Sequence, residues 1–347
     1  MRGVRAPRQH VTDEQWAHIV AELTRRELIG GGLTLGTLAL LGCGDDDEVS
    51  NGTERAGYPR TVSHAYGSTT IERVPTRLVT LGYTDVDVAL ALGVTPVGFR
   101  DFFGTGLNPW AEPLAGAGDP EAIEYGERAP VERILALRPD LVVASTGMPR
   151  ADYEALAGVV TTVGPGGDEA TVVAWRTQVR QMARSLAREA RAERLIDGLE
   201  ARYAAARRAH PQFARRTLVW TFPAQGGYSV YFSKDTRMQT LTELGFRLPA
   251  SIAELDDGSF STVLSAEQVQ RLDADVLIVQ TYTPEQRRTT ERSTLFQNLD
   301  VVKRDDVIWM PEQVADGVTF GTVVSIPYVL DDLLALLADK LPSRTGR

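Results

Sequence analysis

The feature that most constrains this chain is a short pattern that occurs twice. The string ERILALRPDLVVA begins at Glu132, and EQVQRLDADVLIV begins at Glu267. The spacing from Glu to Asp is the same in both, ending at Asp140 and Asp275. Ile134 matches Val269, Leu137 matches Leu272, and an apolar run follows each Asp at once. Helix-spaced apolar residues leading into a short buried run describe a helix, a tight turn and a strand in one register. Two generic αβ units would also satisfy so short a match. Read as a repeat, it predicts two similar halves.

The rest of the chain fits that expectation. His64 to Ile71 reads as a hairpin with Gly67 near its turn. RLVTL (77–81), TPVGF (95–99) and LVVA (141–144) read as strands, with helices over 84–92 and 131–137. The second half offers TLVWTF (217–222) and VLIV (276–279) as strands, with helices over 238–244 and 266–272. Strands that alternate with helices predict parallel α/β sheets. Between the halves, Val172, Trp175, Val179, Met182, Leu186, Ile196, Leu199 and Tyr203 recur at steps of three and four or nearly so. The expectation is one helix over 168–210, capped by Asp168 and stopped by Pro211, about 60 Å long. A coiled-coil dimer would need a sustained seam, and the stripe weakens through Glu189 and Glu193. The predicted fold is thus two α/β lobes with parallel sheets joined by one long bridging α-helix. Its divisions are an N-terminal lobe (58–167), the helix (168–210), a C-terminal lobe (211–341) and a tail (342–347).

The N-terminus reads as an address. Arg25 and Arg26 precede an apolar, glycine-bearing run that ends in Leu40-Leu41-Gly42-Cys43. At about 14 residues the run is shorter than a membrane span needs, and it has the form of a signal segment. It resembles a twin-arginine lipoprotein signal, which implies cleavage after residue 42 and lipidation of Cys43. Residues 43–57 hold almost no apolar side chains and read as a flexible tether.

Composition removes several functions. With 43% hydrophobic and 24% charged residues among 347, the chain can form two cores. A net charge of -9 gives no support to a nucleic-acid binder. The single cysteine excludes an internal disulfide, and His10, His18, His64 and His210 lack metal-ligand spacing. There is no G-x-S-x-G elbow, no H-E-x-x-H and no phosphate-binding G-x-x-x-x-G-K-[ST], so a secreted hydrolase or an ATPase has little material. No enzyme activity, resident cofactor or resident metal is expected.

The stretches from Val62 to Gly104, Val131 to Ser145 and Leu264 to Gln280, in that order around the central helix, resemble the iron-siderophore substrate-binding lipoproteins of ABC importers. That class of periplasmic binding proteins has a helical backbone and also includes cobalamin and haem binders. The resemblance covers about residues 58–341. It implies a ligand cleft between the lobes, limited hinge motion, and an exported monomer held by a lipid at the outer face of the cytoplasmic membrane. Its partners would be a permease and an ATPase. It also implies that one surface Glu on each lobe docks on permease arginines, and the matching residues are Glu132 and Glu267. An acid at a helix start also suits the helix dipole, whatever its partner. A sensing lipoprotein would keep the cleft and dispense with the importer.

Ligands of parallel α/β sheets collect beyond the carboxyl ends of the strands. The candidate ligand-binding residues are therefore Tyr83, Arg100, Phe102, Trp110 and Arg128 in the first lobe. In the second they are Trp220, Tyr228, Tyr231 and Tyr282. Asp101, Phe103, Tyr125, Thr146, Met148, Phe222 and Thr281 lie beside them. Rings suit the flat or apolar arms of a ferric siderophore, and guanidinium suits its anionic oxygens. Aromatics also fill ordinary cores. Arg100 stands out because a charge directly after a buried strand is poorly explained by packing; a surface salt bridge with Asp101 or another acid is the competing account.

Overall fold

The computed structural model describes residues 57–102, 104, 106–166, 174–224 and 226–342. The signal segment, Cys43, the tether up to Ala56, Phe103, Asp168 and the last five residues lie outside the described residues.

An antiparallel hairpin, β1 (Arg60–His64) and β2 (Gly67–Ile71), opens the folded part. Gly67 has a φ of 131°, which residues with a side chain rarely adopt, so glycine is the natural occupant of this turn. The first lobe then builds a five-stranded sheet from β3 (Leu78–Thr80), β4 (Gly98–Arg100), β5 (Glu121–Ile123), β6 (Leu141–Val143) and β7 (Thr162–Val163). Their order is β5-β4-β3-β6-β7, and every pairing is parallel. All residues of β3 and β6 are buried, as strands covered on both faces must be, which is why they read as unbroken apolar runs. The helices that matter to the site are α1 (Asp85–Ala91), α2 (Val131–Ala136) and α3 (Arg150–Ala157).

The bridging region departs from expectation. Residues 168–210 do not form one helix: α4 (Trp175–Leu186) ends at Ala187, whose φ of 54° and ψ of 47° are left-handed, and α5 (Glu189–Ala209) starts afresh. Arg180 pairs with Glu193 and Arg176 with Glu200, at 2.8 Å and 2.6 Å, so the two helices fold back antiparallel. Only the 21-residue α5, about 32 Å long, serves as the bridge. At its start Arg191 Nε donates to the Ala91 carbonyl at 2.6 Å. Towards its other end Tyr203 is buried and Arg207 bonds the Glu243 carbonyl of the second lobe. Alanine is the best helix former, so nothing local announced the break.

The second sheet holds β8 (Leu218–Ala224), β9 (Gly227–Tyr231), β10 (Ser261–Ser265), β11 (Val276–Val279) and β12 (Val307–Trp309), in the order β10-β9-β8-β11-β12. It is mixed rather than parallel. β8, β11 and β12 run parallel, while β9 and β10 are antiparallel to their neighbours. The connection from Ala224 to Gly227 is far too short for the crossover a parallel neighbour needs. The helices of this half that matter to the site are α6 (Thr236–Glu243), α7 (Glu312–Phe320) and α8 (Ser325–Lys340). Residues 266–272 are helical as expected, but as a 3-10 helix.

The repeat seen in the sequence has a structural meaning. Asp140 accepts hydrogen bonds from the Thr76 amide (2.8 Å), the Thr76 hydroxyl (2.7 Å) and the Arg77 amide (2.8 Å), just before β3. Asp275 accepts from the Thr217 amide (2.7 Å), the Thr217 hydroxyl (2.9 Å) and Arg216 Nη1 (2.9 Å), just before β8. Each Asp therefore fixes the start of the adjacent strand in its own lobe. Burial works against both charges, but these donors outweigh it and hold both carboxyls below the usual value. Asp140→Ala and Asp275→Ala should each cost about 2 kcal/mol at neutral pH, read as a lower urea midpoint at unchanged slope. A depressed carboxyl stabilises above 3.8 and stops doing so as pH falls through its native value. The loss should therefore fade in strong acid. A cost that is the same at pH 2 and pH 7 would show that the charge is not responsible.

Candidate functional site

The carboxyl ends of β3 and β6 meet at one place because Asp85 ties them. It is fully buried at the start of α1. It accepts from the Gly82 amide (3.0 Å), the Ser145 amide (2.8 Å), the Ser145 hydroxyl and Gln178 Nε2 of α4 (2.9 Å). Burial pushes its carboxyl up, and these bonds counter it in part. The Tyr83 amide donates to the Thr146 hydroxyl at 3.1 Å, closing the same seam.

Arg100, the last residue of β4, points into the pocket this makes. Its guanidinium carbon lies 4.0 Å from the ring centre of Tyr125, 4.6 Å from Tyr83 and 5.4 Å from Phe102. Nη1 donates to the Gly147 carbonyl at 3.2 Å, while Nε is buried without a partner. Arg100 makes no ion pair among the described residues. Asp101 turns instead to the Gly106 amide, at 2.9 Å. Tyr83, Arg100, Phe102, Asn108 and Phe320 line a hollow here. Phe320 is the final residue of α7, so the hollow takes a wall from the second half of the chain.

A second cluster lies in the second lobe. Phe222 meets Tyr282 edge-on at 5.2 Å. Arg237, in the first turn of α6, sits 3.6 Å over the Tyr231 ring. Asp235 holds it through two bonds of 2.8 Å, and Arg237 Nη1 donates to the Thr319 hydroxyl at 3.1 Å. Burial disfavours the Arg237 charge, but the Asp235 carboxylate outweighs it and raises the pKa. Since Thr319 precedes Phe320, the two clusters are joined through consecutive residues.

The structure thus groups Tyr83, Arg100 and Phe102 in one cluster, in the first lobe, and Tyr231 and Tyr282 in another, in the second. It does not bring Trp110, Trp220 or Tyr228 to the hollow. Trp110 is 1% exposed and donates to Asp87, Trp220 is 0% exposed and donates to Gln280, and Tyr228 lies in the core of the second lobe. Arg128 is committed to the buried Asp152, its Nε 2.5 Å from Oδ1. Arg237 was missed because only strand ends were searched, and it enters from a helix start. The capping signal of Asp235 before Thr236-Arg237 was readable.

Among the described residues no group of His, Cys, Asp and Glu could hold a metal ion, and no helix is long and apolar enough to cross a membrane. His64 and His210 are engaged elsewhere, one with Thr69 at 3.0 Å and the other stacked on Phe213. Rings and guanidinium groups around a hollow can grip an anion with flat or apolar parts.

The sequence profile of the periplasmic binding proteins matches residues 78–314. The chain belongs to that family. A probable siderophore-binding lipoprotein of Bacillus subtilis, YfiY, is 27% identical over 322 residues, covering 86% of this chain and 94% of its own. The achromobactin-binding periplasmic protein of Dickeya dadantii is 26% identical, with coverage of 75% and 86%. PiaA of Streptococcus pneumoniae, solved in complex with ferrichrome, is similar in structure with a TM-score of 0.70 and 26% identity. The match covers 81% of this chain and 98% of that one. The two-lobed fold of the family is the fold seen here.

Glu132, in the first turn of α2, and Glu267, in the first turn of the 266–272 helix, are both exposed and make no ion pair among the described residues.

The hollow has a second buried acid beneath it. Asp87 is 0% exposed; its Oδ2 accepts from Trp110 Nε1 (2.6 Å) and the Thr322 hydroxyl (2.9 Å), while Oδ1 has no partner. Burial raises its pKa from 3.8 to about 7, against the pull of those two donors. Between those values the native protein keeps a proton that the unfolded chain has released, so this residue makes the fold less stable as pH rises. Melting temperatures of wild type and Asp87→Asn from pH 4 to 8 should diverge, wild type losing ground up to about pH 7 and no further. Parallel curves would refute the assignment.

Proposed function

We propose that this protein is the extracytoplasmic binding component of an ABC importer and holds a ferric siderophore in the hollow between its lobes. One observation carries the reading: Arg100 is a part-buried cation, boxed by three rings, that makes no ion pair with any described acid. An anionic ferric chelate supplies the missing counter-charge, and its arms lie against the rings. The neighbouring Arg237, Tyr231 and Tyr282 of the second lobe are the residues proposed for the opposite face. The names of the B. subtilis and D. dadantii relatives and the ferrichrome complex of PiaA support the same class of ligand. Capture and delivery need no bond to be made or broken, which agrees with a site of rings and charges.

Calorimetric titration with ferric citrate, ferrichrome and ferric achromobactin, beside haem and cobalamin, tests this. At least one ferric siderophore should bind, and Arg100→Ala should weaken it about ten- to hundredfold, as expected for one lost charge-assisted bond. Binding of haem or cobalamin alone would replace the ligand class, and unchanged affinity in Arg100→Ala would remove the residue from the site.

The lipoprotein names of the relatives also support export and anchoring through Cys43. Delivery then rests on Glu132 and Glu267, one per lobe, reading a permease of fixed spacing. Glu132→Arg with Glu267→Arg should leave siderophore affinity within twofold of wild type while cellular iron uptake stops. Normal uptake by that double variant would end the docking assignment.

A further inference from the structure

The turn between α7 and α8 of the second lobe bonds the first lobe, and this turn forms part of the hollow. α7 ends at Phe320, and α8 starts at Ser325. Thr319 is fastened to the second lobe twice: its carbonyl accepts from the Thr236 hydroxyl at 2.7 Å, and its hydroxyl accepts from Arg237 Nη1 at 3.1 Å. Thr322 is fastened to the first lobe, its hydroxyl donating to Asp87 on α1 at 2.9 Å. The same hydroxyl accepts from the Val324 and Ser325 amides at 3.2 Å and 2.9 Å, so the turn into α8 is rigid around it. Gly321 lies between, with φ of 60°, and a Cβ there would meet Thr236 Cβ at 2.8 Å. Phe320 packs against Trp110, ring centres 5.3 Å apart, and also lines the hollow beside Tyr83, Arg100 and Phe102.

We infer that Thr319–Thr322 is a strap pinned to opposite lobes at its two ends, and that Phe320, carried between the pins, contacts the bound siderophore. The strap has no slack. One pin bears on Arg237, the other on Asp87, and Gly321 between them has a left-handed backbone with no room for a Cβ. A change in the angle between the lobes must shift Phe320 relative to Arg100. A chelate arm that presses on Phe320 in turn favours the angle at which the ring fits it. Phe320 is thus a contact residue, while Thr322 and Gly321 are positioning residues that act through it. The contact half of this inference rests on the siderophore reading, whereas the strap half does not.

Both halves can be measured on the full chain. With Cys43→Ala in place, cysteines at Val159 and Val263, which are 59% and 55% exposed on the first and second lobes, accept spin labels. The distance distribution between them, without ligand, should broaden or shift in Thr322→Val and Gly321→Ala. It should be restored in Thr322→Ser and stay as in wild type in Phe320→Ala. An unchanged distribution in folded Thr322→Val would overturn the strap. Phe320→Ala should weaken whichever of ferric citrate, ferrichrome or ferric achromobactin wild type binds by about tenfold, the scale of one buried ring contact; unchanged affinity would overturn the contact. Should wild type bind none of the three, the siderophore reading and the contact fall together, and the spin-label distances still decide the strap.

Discussion

Two buried carboxylates on one short helix hold this structure together. α1 is buried at every residue, and Asp85 and Asp87 stand two positions apart on it. At about 100° per residue that spacing sends them to nearly opposite sides. Asp85 faces the strand ends and gathers four hydrogen bonds from Gly82, Ser145 and Gln178. Asp87 faces the returning C-terminal segment and gathers two. A buried acid is costly unless its oxygens are satisfied. Both oxygens of the first have partners, while the second leaves Oδ1 bare, and burial pushes both carboxyls up, the second to about 7.

The site inherits its asymmetry from what surrounds each arginine. Arg237 is neutralised within its own lobe by Asp235, so that face offers directed hydrogen bonds and a ring but little net charge. Arg100 has only ring faces and one carbonyl. Ring quadrupoles stabilise a cation weakly compared with a carboxylate, so the first lobe presents to the hollow a cation that makes no ion pair among the described residues, with Asp101 also in the lining. An anion entering between the lobes gains most from the Arg100 side. The second lobe then adds shape and orientation.

Much of this was legible and some was not, for physical reasons. Strands covered on both faces must be continuously apolar, so β3, β6 and β11 announced themselves as LVT, LVV and VLIV. The Glu-to-Asp repeat was visible because the same task, fixing a strand start by Asp140 and Asp275, recurs in both lobes. The antiparallel half of the second sheet was missed although the short Ala224–Gly227 connection demanded it. The break at Ala187 could not be seen, since its residue type favours the helix it ends. Aromatic residues near strand ends were the weakest guide. Trp110, Trp220 and Tyr228 share that placement with Tyr83 and Tyr282, and only the finished packing separates core rings from exposed ones. Arginine was the better signal, because a core tolerates an extra ring far more easily than an extra charge.

The two links between the lobes also bear on how such a pair can move. A single helix between two bodies resists bending but leaves them free to twist about its axis. Here α5 is one tie, and the contact of Thr322 with Asp87 is a second, at a different point of the boundary between the lobes. Two ties leave rotation about the line that joins them as the soft motion, with twist suppressed. That motion changes the gap between the Arg100 cluster and the Arg237 cluster.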